Sequence, residues 1–395
     1  MQKKLIAAAV AGLLSVPAFA QSNVTISGLF KGGWEHYRLS GPGTGYESES
    51  RVSDQSSRII FNVVEDLGGG LKAWGQVDSR FALDLGGGAL GSGNTGVGLM
   101  GNWGKFTLGR WDVHYGEFGA IESNRAGSLQ TYAAPGIVSQ VTTRAAAAAA
   151  VTPQVSTMAN GTRTPNILIW DSPAWNGFTA RLAYSTSYAA TEGNTNRAVG
   201  NPGSGRAWTG ALRYNNGPWT AGASYWNGNT ESGVAAVPKA DQRSTRAWGG
   251  YTFAMGLKLG LGYDRSSFDD GVNGSAGAVG AGTARRSAWI IPVSYSFGPH
   301  AIYGTYARAG SASGSAIASG TGSNYKAHQW TIGYDYAFSK RTSVGAFYTR
   351  LNNNSNAAGT VGASYNMFGL GASGGTAANV GEDQRQIYIG MAHSF

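Results

Sequence analysis

The stretch from Trp330 to Leu351, WTIGYDYAFSKRTSVGAFYTRL, restricts what this chain can fold into more than any other. Trp330, Ile332, Tyr334, Tyr336 and Phe338 fall on every second position, with Gln329, Thr331, Gly333, Asp335 and Ala337 between them. Successive side chains of a strand point to opposite faces, so this period of two gives one aromatic and aliphatic face and one small, polar face. After the turn Ser339, Lys340, Arg341, the return arm sets Val344, Ala346 and Tyr348 on one parity and Ser343, Gly345 and Thr349 on the other, with Phe347 as the exception. The unit is a tight hairpin with a greasy face, and something must cover that face.

The N-terminus suggests what does. Lys3 and Lys4 precede the apolar run Leu5 to Phe19, which ends in Ala18, Phe19, Ala20 before polar Gln21. Charge, a short apolar core and a small-residue site predict a secretory signal peptide over residues 1–20, with one unit from 21 to 395 after it. No other segment approaches the roughly 20 apolar residues of a membrane-spanning helix. The chain has no cysteine, so an exported protein of this size relies on backbone pairing and packing rather than disulfides. Its formal charge is +9, or +7 without Lys3 and Lys4. Export and the lack of any dense Lys or Arg cluster argue against a nucleic-acid partner and favour attraction for small anions.

The hairpin pattern recurs along the chain without a composition shift. Alternating stretches begin at Val24, Ser56, Leu71, Val97 and Lys105; regularity then stops from Trp111 to Thr164 and resumes at Asn166. Asn216–Gly217, Ala254–Gly256 and Gly298–Pro299 mark tight turns, and the last strand runs Gln384 to Phe395, giving sixteen in all. Tight turns alternate with long loops rich in Gly, Ser, Asn and Ala, and Phe178, Trp219, Phe253, Phe297, Phe338 and Phe395 gather beside the turns as an interfacial girdle. An even number of strands of about ten residues, alternating in polarity, predicts an all-β fold: a closed, antiparallel transmembrane β-barrel of the outer membrane. Closure is required because an open edge in lipid leaves backbone groups unpaired.

Several stretches resemble the trimeric general porins of Gram-negative bacteria, most closely the β-proteobacterial kind. They are Ser56 to Ser79 (SSRIIFNVVEDLGGGLKAWGQVDS), Phe106 to Arg110 (FTLGR), Trp170 to Phe178 (WDSPAWNGF), Ile332 to Asn353 and the terminal GMAHSF. The resemblance implies a sixteen-stranded homotrimer set in outer-membrane lipid and lipopolysaccharide. It implies a third loop, here 111–164 with the GEFG motif at Gly116 to Gly119, folded into the lumen as a constriction. It also implies that Phe395, with His393 and Met391 on its parity, is the signal read by the barrel-assembly machinery. Lys31 stands where the family often has Asp, Asn62 where a basic residue is common, and Ile169 where related strands often carry Arg.

A pore narrowed by a loop selects by size and by the charge on its walls. Parity turns Arg58 and Arg80 into the lumen as an adjacent basic wall, which Arg38 and Lys31 extend; Arg110 joins the set on the less favourable parity. Asp112, Glu117 and Glu122 of the third loop are expected to face that wall. The function expected is passive diffusion of small hydrophilic solutes and ions with a mild anion preference, without cofactor. A substrate-specific channel, or a barrel serving as adhesin or phage receptor, is the alternative. An enzyme is not indicated: the five histidines lack metal-ligand spacing, and the G-x-S-x-G match at Gly371 to Gly375 lies in a glycine-rich loop with no helix after it.

Overall fold

The computed structural model describes residues 23–41, 48–122, 137–138, 140–141, 157–158, 163–187, 206–229, 240–270, 282–315, 317, 319–359, 362–363, 365, 367 and 380–395. The expected signal peptide, the Ala-rich insert of the third loop and the Gly371 to Gly375 match lie outside these residues. Among them, β1 (Asn23–Ser40) is followed by β2, which comes in two pieces (Ser48–Asp54 and Arg58–Gly68). Then come β3 (Leu71–Phe81), β4 (Thr95–Gly101), β5 (Gly104–Trp111), β6 (Thr164–Asp171), β7 (Phe178–Ser185) and β8 (Arg206–Asn216). The second half is β9 (Trp219–Asn229), β10 (Ala240–Thr252), β11 (Leu257–Asp270), β12 (Gly282–Phe297), β13 (His300–Ala309), β14 (Ala327–Ala337), β15 (Thr342–Asn353) and β16 (Asp383–Ser394). Each is antiparallel to the next, and β16 pairs back onto β1 from Leu29↔Ser394 to Ser40↔Asp383, closing the sixteen-stranded barrel.

The opening hairpin shows why the cylinder suits a membrane. Ile332 is 55% exposed and Tyr334 is 41% exposed, whereas Gln329, Thr331 and Asp335 on the opposite face are buried. Leu261, Ile291, Ile302 and Ile389 are exposed in the same way. A soluble sheet protein buries its apolar face, so this inside-out distribution needs a hydrocarbon solvent. Phe347 does not break the parity: it points inward with Ser343 and Thr349 and stacks on Tyr388, ring centres 5.0 Å apart. Gly333 lies under the neighbouring Tyr303, where a β-carbon would meet the ring at 2.3 Å.

Two local features differ from the sequence reading. The second strand begins eight residues earlier, at Ser48, and breaks at Gln55–Ser57. There Ser56 takes a positive φ of 73° and the Asp54 carboxylate accepts the backbone N–H of Ser56 at 2.8 Å. An Asx turn of this kind competes with the ladder, and strand alternation alone does not reveal it. At the β8–β9 hairpin Asn216 pairs directly with Trp219, so the two-residue loop is Gly217–Pro218 rather than Asn216–Gly217. Gly298–Pro299 repeats the device between β12 and β13; φ is +56° at Gly217 and +54° at Gly298. A positive-φ glycine followed by proline, fixed near −65°, fits a type II′ turn, which matches the twist of the flanking strands.

Candidate channel constriction

The first described stretch of the third loop, 112–122, lies against the inner faces of β8 to β11. Tyr115–Ala120 form a turn of 3-10 helix that brings Glu117 and Phe118 to the wall. Arg213 of β8 grips the Glu117 carboxylate with both arms of its guanidinium, one of them Nε to Oε2 at 2.7 Å. Arg213 also lies 3.9 Å from Asp171, which in turn accepts Nε and Nη2 of Arg181 at 2.6 and 3.0 Å. Bidentate Arg–carboxylate pairs add geometric specificity to charge, so this chain of ions fixes the loop's register on β6 to β8.

A second anchor sits further round. Asp264 of β11, fully buried, accepts Arg246 Nε at 2.8 Å and Arg286 Nη1 at 2.9 Å, and also the hydroxyls of Ser244 and Ser266. Held this way, Arg246 donates to the carbonyls of His114 at 3.1 Å and Tyr115 at 3.0 Å, and its guanidinium lies 4.9 Å from the Phe118 ring. The Ser244 hydroxyl hydrogen is committed to Asp264, so at 2.8 Å from His114 Nε2 its oxygen must accept. Nε2 therefore carries the ring proton, and Nδ1 accepts from Ser224 at 2.8 Å. Burial and the Arg246 cation hold the His114 ring well below its usual pKa, hence neutral.

Lys258 Nζ completes the attachment by donating to the carbonyls of Ala120 at 3.0 Å and Glu122 at 2.6 Å. Burial pushes the Glu122 carboxyl up to about 8, against the pull of Lys258. Because its folded value exceeds the ordinary 4.5, Glu122 stabilises the fold fully at pH below about 4.5, and that contribution is lost as pH rises through about 8. Thermal unfolding midpoints of Glu122→Gln are expected to lose this decline between about pH 4.5 and about pH 8, where the wild type shows it. Parallel pH curves for the two proteins would contradict it.

The remaining residues singled out from sequence fall in three places. Arg58 and Arg80 are direct register partners on the inner faces of β2 and β3, and Arg80 Nη2 lies 3.4 Å from Asp78. Lys31 is buried on the inner face of β1. Arg38, by contrast, points outward with Trp34: seven positions separate it from Lys31, and an odd interval in an unbroken strand places two residues on opposite faces. Arg110 is also outside, with Phe106 and Leu108, and donates to the carbonyls of Arg163 at 3.1 Å and Ser92 at 3.2 Å.

In a sixteen-membered ring β2 and β3 stand eight strands from β10 and β11, so the Arg58–Arg80 pair and the loop's anchorage occupy opposite walls. Two of the three acids are engaged elsewhere, however. Glu117 is held by Arg213, and the Asp112 carboxylate accepts the Arg163 N–H at 2.7 Å. Sequence reasoning missed Arg181, Arg213, Arg246, Lys258, Asp264 and Arg286. Arg213 was findable, since it shares the parity of Ala207, Thr209 and Ala211; Arg246 was not, because Arg243 and Thr245 make the other face of β10 polar as well. At the seam, Phe395 exchanges backbone hydrogen bonds with Gly28 at 3.1 and 3.2 Å and packs against Phe30. His393 Nδ1 meets the Thr342 hydroxyl at 2.9 Å, and Met391 faces outward.

A closed cylinder, apolar outside and charged inside, with a loop segment fastened to its inner wall, is a transmembrane β-barrel channel. Residues 7–357 match the family model described as Gram-negative porin. The chain belongs to that family. It is 28% identical to outer membrane porin protein 32 of Delftia acidovorans, with 100% of each chain covered. It is 26% identical to an outer membrane porin of Bordetella pertussis, covering 89% of this chain and 95% of that one. A solved anion-selective porin from Comamonas acidovorans shares the fold with a TM-score of 0.67 at 23% identity, over 95% of this chain and 100% of that one. The protein is an outer-membrane porin, a water-filled channel for passive diffusion of small hydrophilic solutes and ions.

Proposed function

We propose that this porin passes small anions in preference to cations and that Arg58 and Arg80, with Lys31, supply the selecting charge. The observation that carries this reading is the register: Arg58 and Arg80 are direct strand partners on one inner wall, two cations beside the one carboxylate of Asp78, with the loop's Glu117 neutralised by Arg213. A local excess of fixed positive charge raises the concentration of anions in the bore and lowers that of cations. The similar Comamonas acidovorans structure, described as anion-selective, supports the same direction.

A substrate-specific track is not favoured. Among the described inward aromatics, Tyr303, Phe347 and Tyr388 are buried in one cluster, and Tyr37, Trp74, Trp226 and Trp248 are buried too, so these rings offer no exposed faces to a passing solute. The functional unit of this reading is a homotrimer without catalytic activity, embedded among outer-leaflet glycolipids, with residues 111–164 as its constriction loop and Phe395 as the element recognised during assembly. In planar bilayers under a salt gradient, wild-type channels are expected to give an anion-selective reversal potential, and Arg80→Glu to move it toward cations. An unchanged potential in Arg80→Glu would remove Arg80 from the selecting wall, and currents that saturate with one solute would favour a specific channel.

A further inference from the structure

One cation of the inner wall is held by rings rather than by a carboxylate. The Lys105 ammonium lies 3.4 Å from the centre of the Trp74 ring and 5.7 Å from that of Trp111, and the two rings meet edge to face at 5.9 Å. All three side chains are on the inward parity of their strands: Trp74 with Asp78 and Arg80 on β3, Lys105 and Trp111 with Thr107 on β5. The six positions between Lys105 and Trp111 span about 20 Å at strand rise. For the ammonium to come so near that ring, the lysine stem must run along the wall from the turn end while the indole comes down from the loop end. The corner they make with Trp74 therefore sits at mid-height in the bore, below Arg80.

The sequence builds this corner rigidly. Trp74 is the register partner of Gly98 on β4, and with no side chain there its indole crosses that strand and donates Nε1 to the Phe106 carbonyl of β5 at 3.1 Å. A β-carbon at Gly98 would stand 3.0 Å from that nitrogen and collide with the carbonyl oxygen. Trp111 packs beside Val113, Ile167 and Ile169 but is only half-buried, so part of it stays open to the bore.

Lys105 also lacks an acceptor. Its register partner is Asp171, whose two oxygens are taken by Arg181 at 2.6 and 3.0 Å, with Arg213 at 3.9 Å. Among the described residues Lys105 makes no hydrogen bond and no ion pair; its charge rests on the two rings. An ammonium carries three donors and a ring face engages it from one side, which leaves donors for a solute. Bare indole faces attract cations, but here the chain's own ammonium fills that place, so the corner takes anions.

We propose that Lys105, Trp111 and Trp74 form a subsite for aromatic carboxylates, in which the anion sets its carboxylate on the Lys105 ammonium and its ring against Trp111, while Trp74 fixes the ammonium. The subsite rests on the water-filled bore and goes beyond selection by Arg58 and Arg80, because charge alone does not separate an aromatic from an aliphatic carboxylate. One such corner is a resting place in a diffusion channel, not a track.

The test compares benzoate with acetate on wild type, Lys105→Gln and Trp111→Leu. Saturation-transfer NMR on the detergent-purified oligomer gives binding, and block of chloride current in planar bilayers gives occupancy of the bore. Wild type is expected to bind benzoate about fivefold more tightly than acetate, the size of one aromatic pair contact. Lys105→Gln should weaken benzoate about tenfold by removing the charged donor. Trp111→Leu should bring benzoate down to the level of acetate. Equal binding of the two anions by wild type, or wild-type benzoate binding in either variant, would overturn the proposal. Should Trp111→Leu fail to assemble, Lys105→Gln, which breaks no hydrogen bond, still decides. Because the NMR measurement needs no current, benzoate binding without conductance would sink the pore reading and leave the subsite standing. Anion-selective current without benzoate preference would sink the subsite and leave Arg58 and Arg80 in their role.

Discussion

Replacing Asp264 by alanine is expected to be the most damaging single change in the lumen. It removes the carboxylate shared by Arg246 and Arg286, both almost completely buried, and with it the acceptor for the Ser244 and Ser266 hydroxyls. Breaking a buried ion pair by deleting one partner costs about 3–5 kcal/mol, because the surviving charge remains desolvated. The loss would appear as a lowered thermal unfolding midpoint in detergent, with wider scatter in single-channel currents as Arg246 loosens its hold on His114 and Tyr115. Asp264→Ala retaining the wild-type midpoint would mean that water compensates these charges and that the cluster is not an anchor.

Arg213→Gln and Glu117→Gln are the second pair of informative changes. Each breaks the same bidentate contact, and hydrogen bonds to charged groups contribute about 1.5–3 kcal/mol. The wall and the loop belong to different parts of the chain, so the effect should fall on the loop more than on the cylinder: a higher conductance and faster liposome swelling with larger sugars, with closed-barrel circular dichroism retained. The double variant should cost little more than either single one, giving a coupling of about 0.5–3 kcal/mol. Additive effects would mean that the two groups act separately.

The architecture was legible because a strand's period of two is written into each segment independently. Trp330 to Phe338 needs no knowledge of its neighbours to declare two faces, and Gly298–Pro299 declares its own turn. The same period sets Lys31 and Arg38, seven positions apart, on opposite faces of β1. Loop contacts follow no such period. Glu117 meets Arg213 across 96 positions, and nothing between them in the sequence encodes the path. The Asp54–Ser57 interruption was hidden for a related reason: its turn depends on one carboxylate accepting the N–H groups of Ser56 and Ser57 rather than on a repeat.

The seam between β1 and β16 has a consequence for how such a molecule comes into being. Gln386 donates to Glu35 across 351 positions, and that junction is made of contacts with the greatest possible separation along the polypeptide. Loop-closure entropy therefore opposes the final step until nearly every other strand is in place, and any intermediate short of it carries two sticky, unpaired borders. A protein of this shape is at its most vulnerable to misassembly just before completion, when all but the last of its strand pairings are in place.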